Sequence, residues 1–224
     1  MITSNNNPRV KQVVQWQTKA KERRKDRVFL AEGVRMCEEA PVKSVKEVYL
    51  TEELEQKIQQ NAQNGDTAFW DKLRQTGYET VSPEVFAKMA DTQTPQGILT
   101  VLEQPSHDLT RLLEQPNPLF LILENLQDPG NLGTMIRTGE GAGITGVIMN
   151  SQTVDVFNPK AIRATMGSIF RVPFVYVPDL APVLEQMHAK GIHTYAAHLK
   201  GQKYYDSFSF REPTAFLIGN EGNG

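Results

Sequence analysis

The sequence predicts an α/β protein of two domains, the second built on a mainly parallel sheet with helices on both faces. Two observations carry that prediction. In the second half, short apolar strand-like runs alternate with helix-length segments, the pattern of parallel sheets. Before it, residues 104–117 contain two prolines and few large apolar side chains beyond a leucine cluster, which suits a linker with one helical turn. The expected organisation is a first domain at 1–103, a linker at 104–117 and a second domain at 118–224.

In the first domain, Val10, Val13, Val14 and Gln17 recur at helical spacing within residues 8–20, after an Asn-rich start. The basic stretch 19–27 follows, then a short strand at 28–31, a helix-like run at 33–40, a strand at 45–50 and a polar helix at 52–64. Val81, a helix-like run at 83–89 and a strand at 97–102 close this unit. In the second domain, strands are expected at 119–123, 146–149, 172–177, 192–197 and 214–218, and helices at 132–142, 159–168 and 179–190.

Composition narrows the function classes. Lys and Arg number 24 against 26 Asp and Glu, so the molecule as a whole is not a polycation. Charge is nonetheless concentrated: Lys19 to Arg27 holds six basic and two acidic residues. A solvated helix face and a phosphate-contacting surface both fit that run, and the residues alone do not separate them. Trp16 beside it is a base-stacking candidate, although one Trp at helical spacing reads first as core. Cys37 is the single cysteine, which excludes an intramolecular disulfide and a cysteine metal cluster, and it reads as a small buried hydrophobe. His107, His188, His193 and His198 share no ligand spacing, so no metal site is expected. No apolar run approaches a membrane span and the first thirty residues lack a signal-peptide core, so the expected compartment is the cytoplasm.

The most informative run is Asp128-Pro129-Gly130-Asn131-Leu132-Gly133-Thr134-Met135-Ile136-Arg137-Thr138. It leaves a strand through a tight turn and opens a helix, the place where open α/β sheets hold ligands. Asn131 is the expected N-cap, with Arg137 six residues further on. Gly219-Asn220-Glu221-Gly222 follows another strand, and its glycines allow close backbone approach to a ligand. By contrast Gly141, Gly143 and Gly146 match the dinucleotide fingerprint only in spacing. They close a helix and lead into a strand, so helix C-capping explains them better.

Asn131-Leu132-Gly133 with Ile136-Arg137-Thr138, followed by Gly141-Ala142-Gly143, resembles motif 1 of the SpoU/TrmH branch of the SPOUT RNA methyltransferases. Phe216-Leu217-Ile218-Gly219-Asn220-Glu221-Gly222 resembles the start of motif 2. Lys160, Arg163, Ala164, Thr165, Gly167 and Val172-Pro173 lie where that family has a similar helix. Phe29-Leu30-Ala31-Glu32-Gly33 resembles the small ribosomal-protein-like RNA-binding domain often fused in front. The resemblance implies a SPOUT-type second domain and methyl transfer from S-adenosylmethionine to a ribose 2′-hydroxyl of structured RNA, ribosomal RNA ahead of tRNA, by a homodimer. It implies Arg137, Asn131 and Glu221 as catalytic residues, and Ala197, Gly219, Asn220 and Gly222 as cofactor-binding. RNA contacts are assigned to Lys21, Arg23, Arg24, Lys25 and Arg27.

The sequence ends at Gly224, inside motif 2. In the family a further segment with a Ser-Leu-Asn-type motif threads a knot, completes the cofactor pocket and joins the dimer interface. The expectation is therefore a SPOUT-type domain lacking its C-terminal knot segment, with weak or absent cofactor binding. A non-catalytic RNA-binding protein is the alternative reading, and a nicotinamide-dependent oxidoreductase a distant third.

Overall fold

The computed structural model describes residues 1–220 and Gly222, and the chain forms two compact units. Its elements are, in order, α1 (Pro8–Thr18), α2 (Ala20–Asp26), β1 (Val28–Glu32), α3 (Val34–Glu39), β2 (Val45–Thr51), α4 (Glu52–Gln63), α5 (Ala68–Thr76), β3 (Glu79–Val81), α6 (Pro83–Met89) and β4 (Ile98–Glu103). There follow α7 (Leu109–Leu113), β5 (Leu119–Leu123), α8 (Pro129–Gly141), β6 (Gly146–Asn150), α9 (Pro159–Thr165), β7 (Phe174–Val177), α10 (Ala181–Ala189), β8 (His193–Ala196) and β9 (Thr214–Ile218).

The first unit, residues 1–105 with 157–170, is built on a four-stranded sheet ordered β1-β4-β2-β3. β4 runs antiparallel to both β1 and β2, and β3 is parallel to β2. Alternation along β2 sends Tyr49 to one face and Val48 and Leu50 to the other. Tyr49 joins Val10, Val13, Trp16, Phe86 and Met89 from α1 and α6 in one core. Val48 and Leu50 join Cys37, Ile58, Phe69 and Leu73 from α3, α4 and α5 in a second. The sheet is thus covered on both faces.

Two features of this unit depart from the expected layout. Helix α5 fills residues that carried no assignment, and its Phe69 and Leu73 are core residues at i,i+4 spacing. The segment 157–170, expected in the second domain, belongs to the first unit. Phe157 and Phe170 bring their rings to 5.1 and 6.3 Å from Phe29 of β1, and Arg163 of α9 pairs with Asp91. Strand β1 is apolar on both faces, so an aromatic pair from a distant part of the chain has a surface to cover.

The second unit, residues 106–156 and 171–224, holds a five-stranded, wholly parallel sheet ordered β7-β6-β5-β9-β8. Phe120, Ile122, Ile148 and Val175 on one face pack with Val183 and Met187 of α10 and Leu112 of α7. Strand β6 is buried at four of its five positions and β5 at three, whereas β8 is exposed at three of its four positions.

Candidate active site

Strand order positions the site. From β5 the chain moves outward through β6 to β7, while β8 and β9 lie on the other side of β5. The order therefore reverses between β5 and β9, and the crevice beyond their carboxyl ends is where such sheets bind ligands. The loops leaving those two ends are the two runs singled out in the sequence. They are joined directly: Glu124 N–H donates to the Ile218 carbonyl at 3.0 Å.

The β5–α8 turn is held by side-chain amides. Asn125 adopts a left-handed conformation with φ of +55°, which asparagine tolerates better than most residues. Its N–H donates to Asn150 Oδ1 at 3.0 Å, and its own Oδ1 accepts from Asn150 Nδ2 at 2.7 Å. Its carbonyl oxygen accepts from Asn220 Nδ2 at 2.8 Å and from Gln127 Nε2 at 2.9 Å. The turn then delivers Asp128, whose Oδ1 accepts from the Asn131 N–H at 2.8 Å. This corrects the expected cap: Asp128 is the N-cap and Asn131 lies inside the helix. Pro129 at the first helical position explains the earlier start, because its fixed φ suits a helix and it has no N–H to satisfy.

A cavity of about 430 Å³ opens at this end of the sheet. It is lined by Leu126, Met135, Ala197, His198, Leu199, Ile218, Gly219 and Asn220. The sequence-assigned Ala197, Gly219 and Asn220 are thus brought together, with the Ala197 N–H donating to the Leu217 carbonyl at 3.1 Å. Gly222 lies beside them through its N–H, which donates to Asn220 Oδ1 at 2.9 Å. A larger cavity of about 770 Å³ shares Ala197, His198 and Ile218 and is walled by Tyr195, Phe208, Phe210 and Phe216.

Arg137 and Asn131 are exposed on α8 and line neither cavity. At about 100° per residue, Arg137 projects roughly 200° around the helix from Met135, which does line the smaller one. Among the described residues no carboxylate forms a salt bridge with Arg137 within 4.0 Å. The catalytic assignment of Glu221 lies outside the described residues.

The basic stretch needs one correction. Arg23 is 3% exposed, and its Nη1 donates to the Trp16 carbonyl at 2.7 Å and the Gln17 carbonyl at 3.3 Å. It ties α2 to the end of α1 and is not placed to contact RNA. Trp16 is also core, its indole N–H donating to Asp26 at 2.8 Å. Lys21, Arg24, Lys25 and Arg27 are exposed.

The glycines after α8 form a helix stop: Gly143 has φ of +72°, and the N–H groups of Gly143 and Ile144 return to Glu140 and Gly139 carbonyls at 3.0 Å each. That geometry disposes of the dinucleotide reading. Among the described residues no cluster of His, Cys, Asp or Glu could hold a metal ion, and no helix is long and apolar enough to cross a membrane. Sequence reasoning missed Asn125 and Asn150. A turn was legible in Asn150-Ser151-Gln152-Thr153, since asparagine and threonine start such turns, but nothing local named the partner across the strands.

An open parallel sheet with backbone-rich loops meeting at its switch point defines a small-molecule-binding α/β domain, and comparison with known proteins makes it specific. Residues 118–224 match the model of the SpoU rRNA Methylase family, and residues 7–100 match the MRM3-like substrate binding domain. RlmP of Bacillus subtilis, a 23S rRNA (guanosine(2553)-2'-O)-methyltransferase, is 34% identical over 226 residues, covering all of this chain and 83% of its own length. A 23S rRNA (uridine(2479)-2'-O)-methyltransferase of Streptomyces viridochromogenes is 29% identical over 150 residues, 64% of this chain and 52% of its own length. The crystal structure of the AdoMet-bound rRNA methyltransferase from Sinorhizobium meliloti superposes with a TM-score of 0.84 at 29% identity, covering all of this chain and 82% of that one. The chain belongs to the SpoU rRNA methylase family.

Proposed function

We propose that this chain transfers the sulfonium methyl group of S-adenosylmethionine to the 2′-hydroxyl of a ribose in ribosomal RNA. The observation that carries the reading is the cavity where the β5 and β9 loops meet. Its volume falls within the roughly 300–1,000 Å³ of small-molecule sites. Leu126, Met135 and Ile218 offer apolar walls to an adenine ring and a thioether chain, while Ala197 and Gly219, with no bulky side chains, let a ligand approach the backbone. The AdoMet-bound Sinorhizobium relative and the methyltransferase activities of the curated relatives favour an enzyme over a binding-only protein.

S-adenosylmethionine would supply an electrophilic methyl group, its bond to sulfur breaking as the bond to the ribose oxygen forms, with the neutral thioether leaving and the hydroxyl proton passing to water. The protein must hold that oxygen in line and stabilise its growing negative charge. A guanidinium is too weak an acid to serve readily as a base, so Arg137 acts as a fixed positive charge toward the alkoxide. Arg137 and the cavity lie on different sides of α8. We therefore read the active form as a homodimer, in which the partner's Arg137 faces the methyl donor held in this chain's cavity.

The first unit docks the RNA, with Lys21, Arg24, Lys25 and Arg27 against phosphates. Structured ribosomal RNA fits this division, one unit gripping a stem or loop while the other receives a single nucleotide. The cytoplasm is the compartment this reading implies.

Tritiated S-adenosylmethionine and unmodified ribosomal RNA test it. Label at an alkali-resistant ribose linkage is expected with the wild type, and a large loss with Arg137→Ala. Label that stays at the wild-type level in Arg137→Ala, or never enters the RNA, overturns the reading.

A further inference from the structure

Asn150 ends β6 and lines neither of the two cavities at this end of the sheet. Its side chain nevertheless makes four hydrogen bonds. Nδ2 donates to Asn125 Oδ1 at 2.7 Å, and Oδ1 accepts from the N–H of Asn125 at 3.0 Å. The same Oδ1 accepts from Thr153 N–H at 3.1 Å and Thr153 Oγ1 at 2.8 Å. The amide of Asn150 thus closes a two-bond ring on one residue, and that residue has a φ of +55°. An L-residue held there tends to relax toward negative φ once its partners are removed.

The direction of the Asn125 carbonyl follows from that φ. Asn220 Nδ2 donates to this carbonyl at 2.8 Å, and Asn220 Oδ1 accepts from the Gly222 N–H at 2.9 Å. Gly219 and Asn220 are walls of the smaller cavity. The chain of contacts therefore runs from the end of β6, through the turn after β5, to the loop after β9, linking three strand ends.

We propose that Asn150 is a positioning residue for the cofactor cavity: by holding Asn125 in its left-handed conformation, it aims the carbonyl that anchors Asn220 and the loop after β9. The proposal rests on the cofactor reading above, but its structural link is measurable with no ligand present. A side chain serving only its local turn through Thr153 leaves Asn220 untouched, which separates the two roles.

Three variants decide it. Asn150→Ala raises the dissociation constant for S-adenosylmethionine about tenfold by calorimetry, as expected from losing the bonds that hold the loop, and speeds amide hydrogen exchange around Asn220. Asn125→Gly combined with Asn150→Ala recovers much of that affinity, because glycine adopts positive φ unaided. A residue important only for general stability predicts the reverse, since glycine adds flexibility. Asn150→Asp, which keeps the acceptor but sets a carboxylate oxygen against Asn125 Oδ1 in place of the donor, also weakens binding and serves where circular dichroism finds Asn150→Ala unfolded.

Wild-type affinity in a folded Asn150 variant, or a double variant no tighter than Asn150→Ala, overturns the proposal. Wild type that binds no S-adenosylmethionine overturns the cofactor reading instead. Exchange around Asn220 then decides the link alone, and its being unchanged in the Asn150 variants overturns it.

Discussion

The carboxylate of Asp128 accepts a 2.8 Å hydrogen bond from the backbone N–H of Asn131, so the helix carrying Arg137 starts at Pro129. Asp128→Ala removes the cap and is expected to cost about 1 kcal/mol of stability, read as a lower denaturant midpoint with an unchanged slope. Asn131→Ala keeps the cap acceptor and is expected to lower the midpoint less. Equal losses for the two would contradict the assignment of the cap.

Arg23 and Arg24 are neighbours with opposite fates. Arg23→Ala strands the Trp16 and Gln17 carbonyls in a buried setting, and charge-assisted bonds of this kind are worth about 1.5–3 kcal/mol each. A clear drop in melting temperature is expected. Arg24→Glu is expected to melt like the wild type and to bind RNA more weakly, with a shallower dependence of affinity on salt. RNA affinity unaffected by reversing both Arg24 and Lys25 would remove the basic stretch from the interface.

Burial pushes the Cys37 thiol up to about 12, and the side chain is 2% exposed. The native protein is therefore expected to resist a water-soluble disulfide reagent at neutral pH, because the thiolate is the nucleophile. Addition of denaturant should release one reactive thiol. Rapid labelling of the folded chain would show that α3 opens locally.

His107 is exposed on one side but sits edge-on to Phe174 at 5.4 Å between ring centroids, and this partial desolvation holds its pKa below the ordinary 6.5. The folded state thus resists the proton that the unfolded state accepts. The contribution of His107 is complete above pH 6.5, falls as pH drops through that value, and levels off below the lowered folded pKa. Urea midpoints measured across this window should fall more for the wild type than for His107→Gln. Parallel pH profiles would refute this account.

Much of the architecture is legible along the chain. The five strands of the second unit and helices α8, α9 and α10 lie where apolar periodicity places them, although α9 packs in the first unit, and β5 and β9 match their expected bounds at 119–123 and 214–218. Helix α5 escaped although its signals are present, with Phe69 and Leu73 four apart and Gly77 closing the helix at φ of +71°. A polar surround conceals so short an apolar stripe. Of the site, Ala197, Gly219 and Asn220 do meet in one cavity, while Arg23 proved to be buried and Asn131 to lie one turn inside its helix.

Local chemistry by itself determined the strands, the helices and the family motifs, since each depends on neighbours within a few residues. Tertiary structure alone decided three things. It placed Phe157 and Phe170 around Phe29. It buried Arg23 beneath the end of α1. It also joined Asn125 to Asn150, 25 residues away, and to Asn220, 95 residues away. A hydrogen bond or a ring contact across such separations leaves no periodicity in the sequence. Its partners are chosen by which strand ends the sheet brings together, and the order of a parallel sheet is settled only when its crossovers have packed.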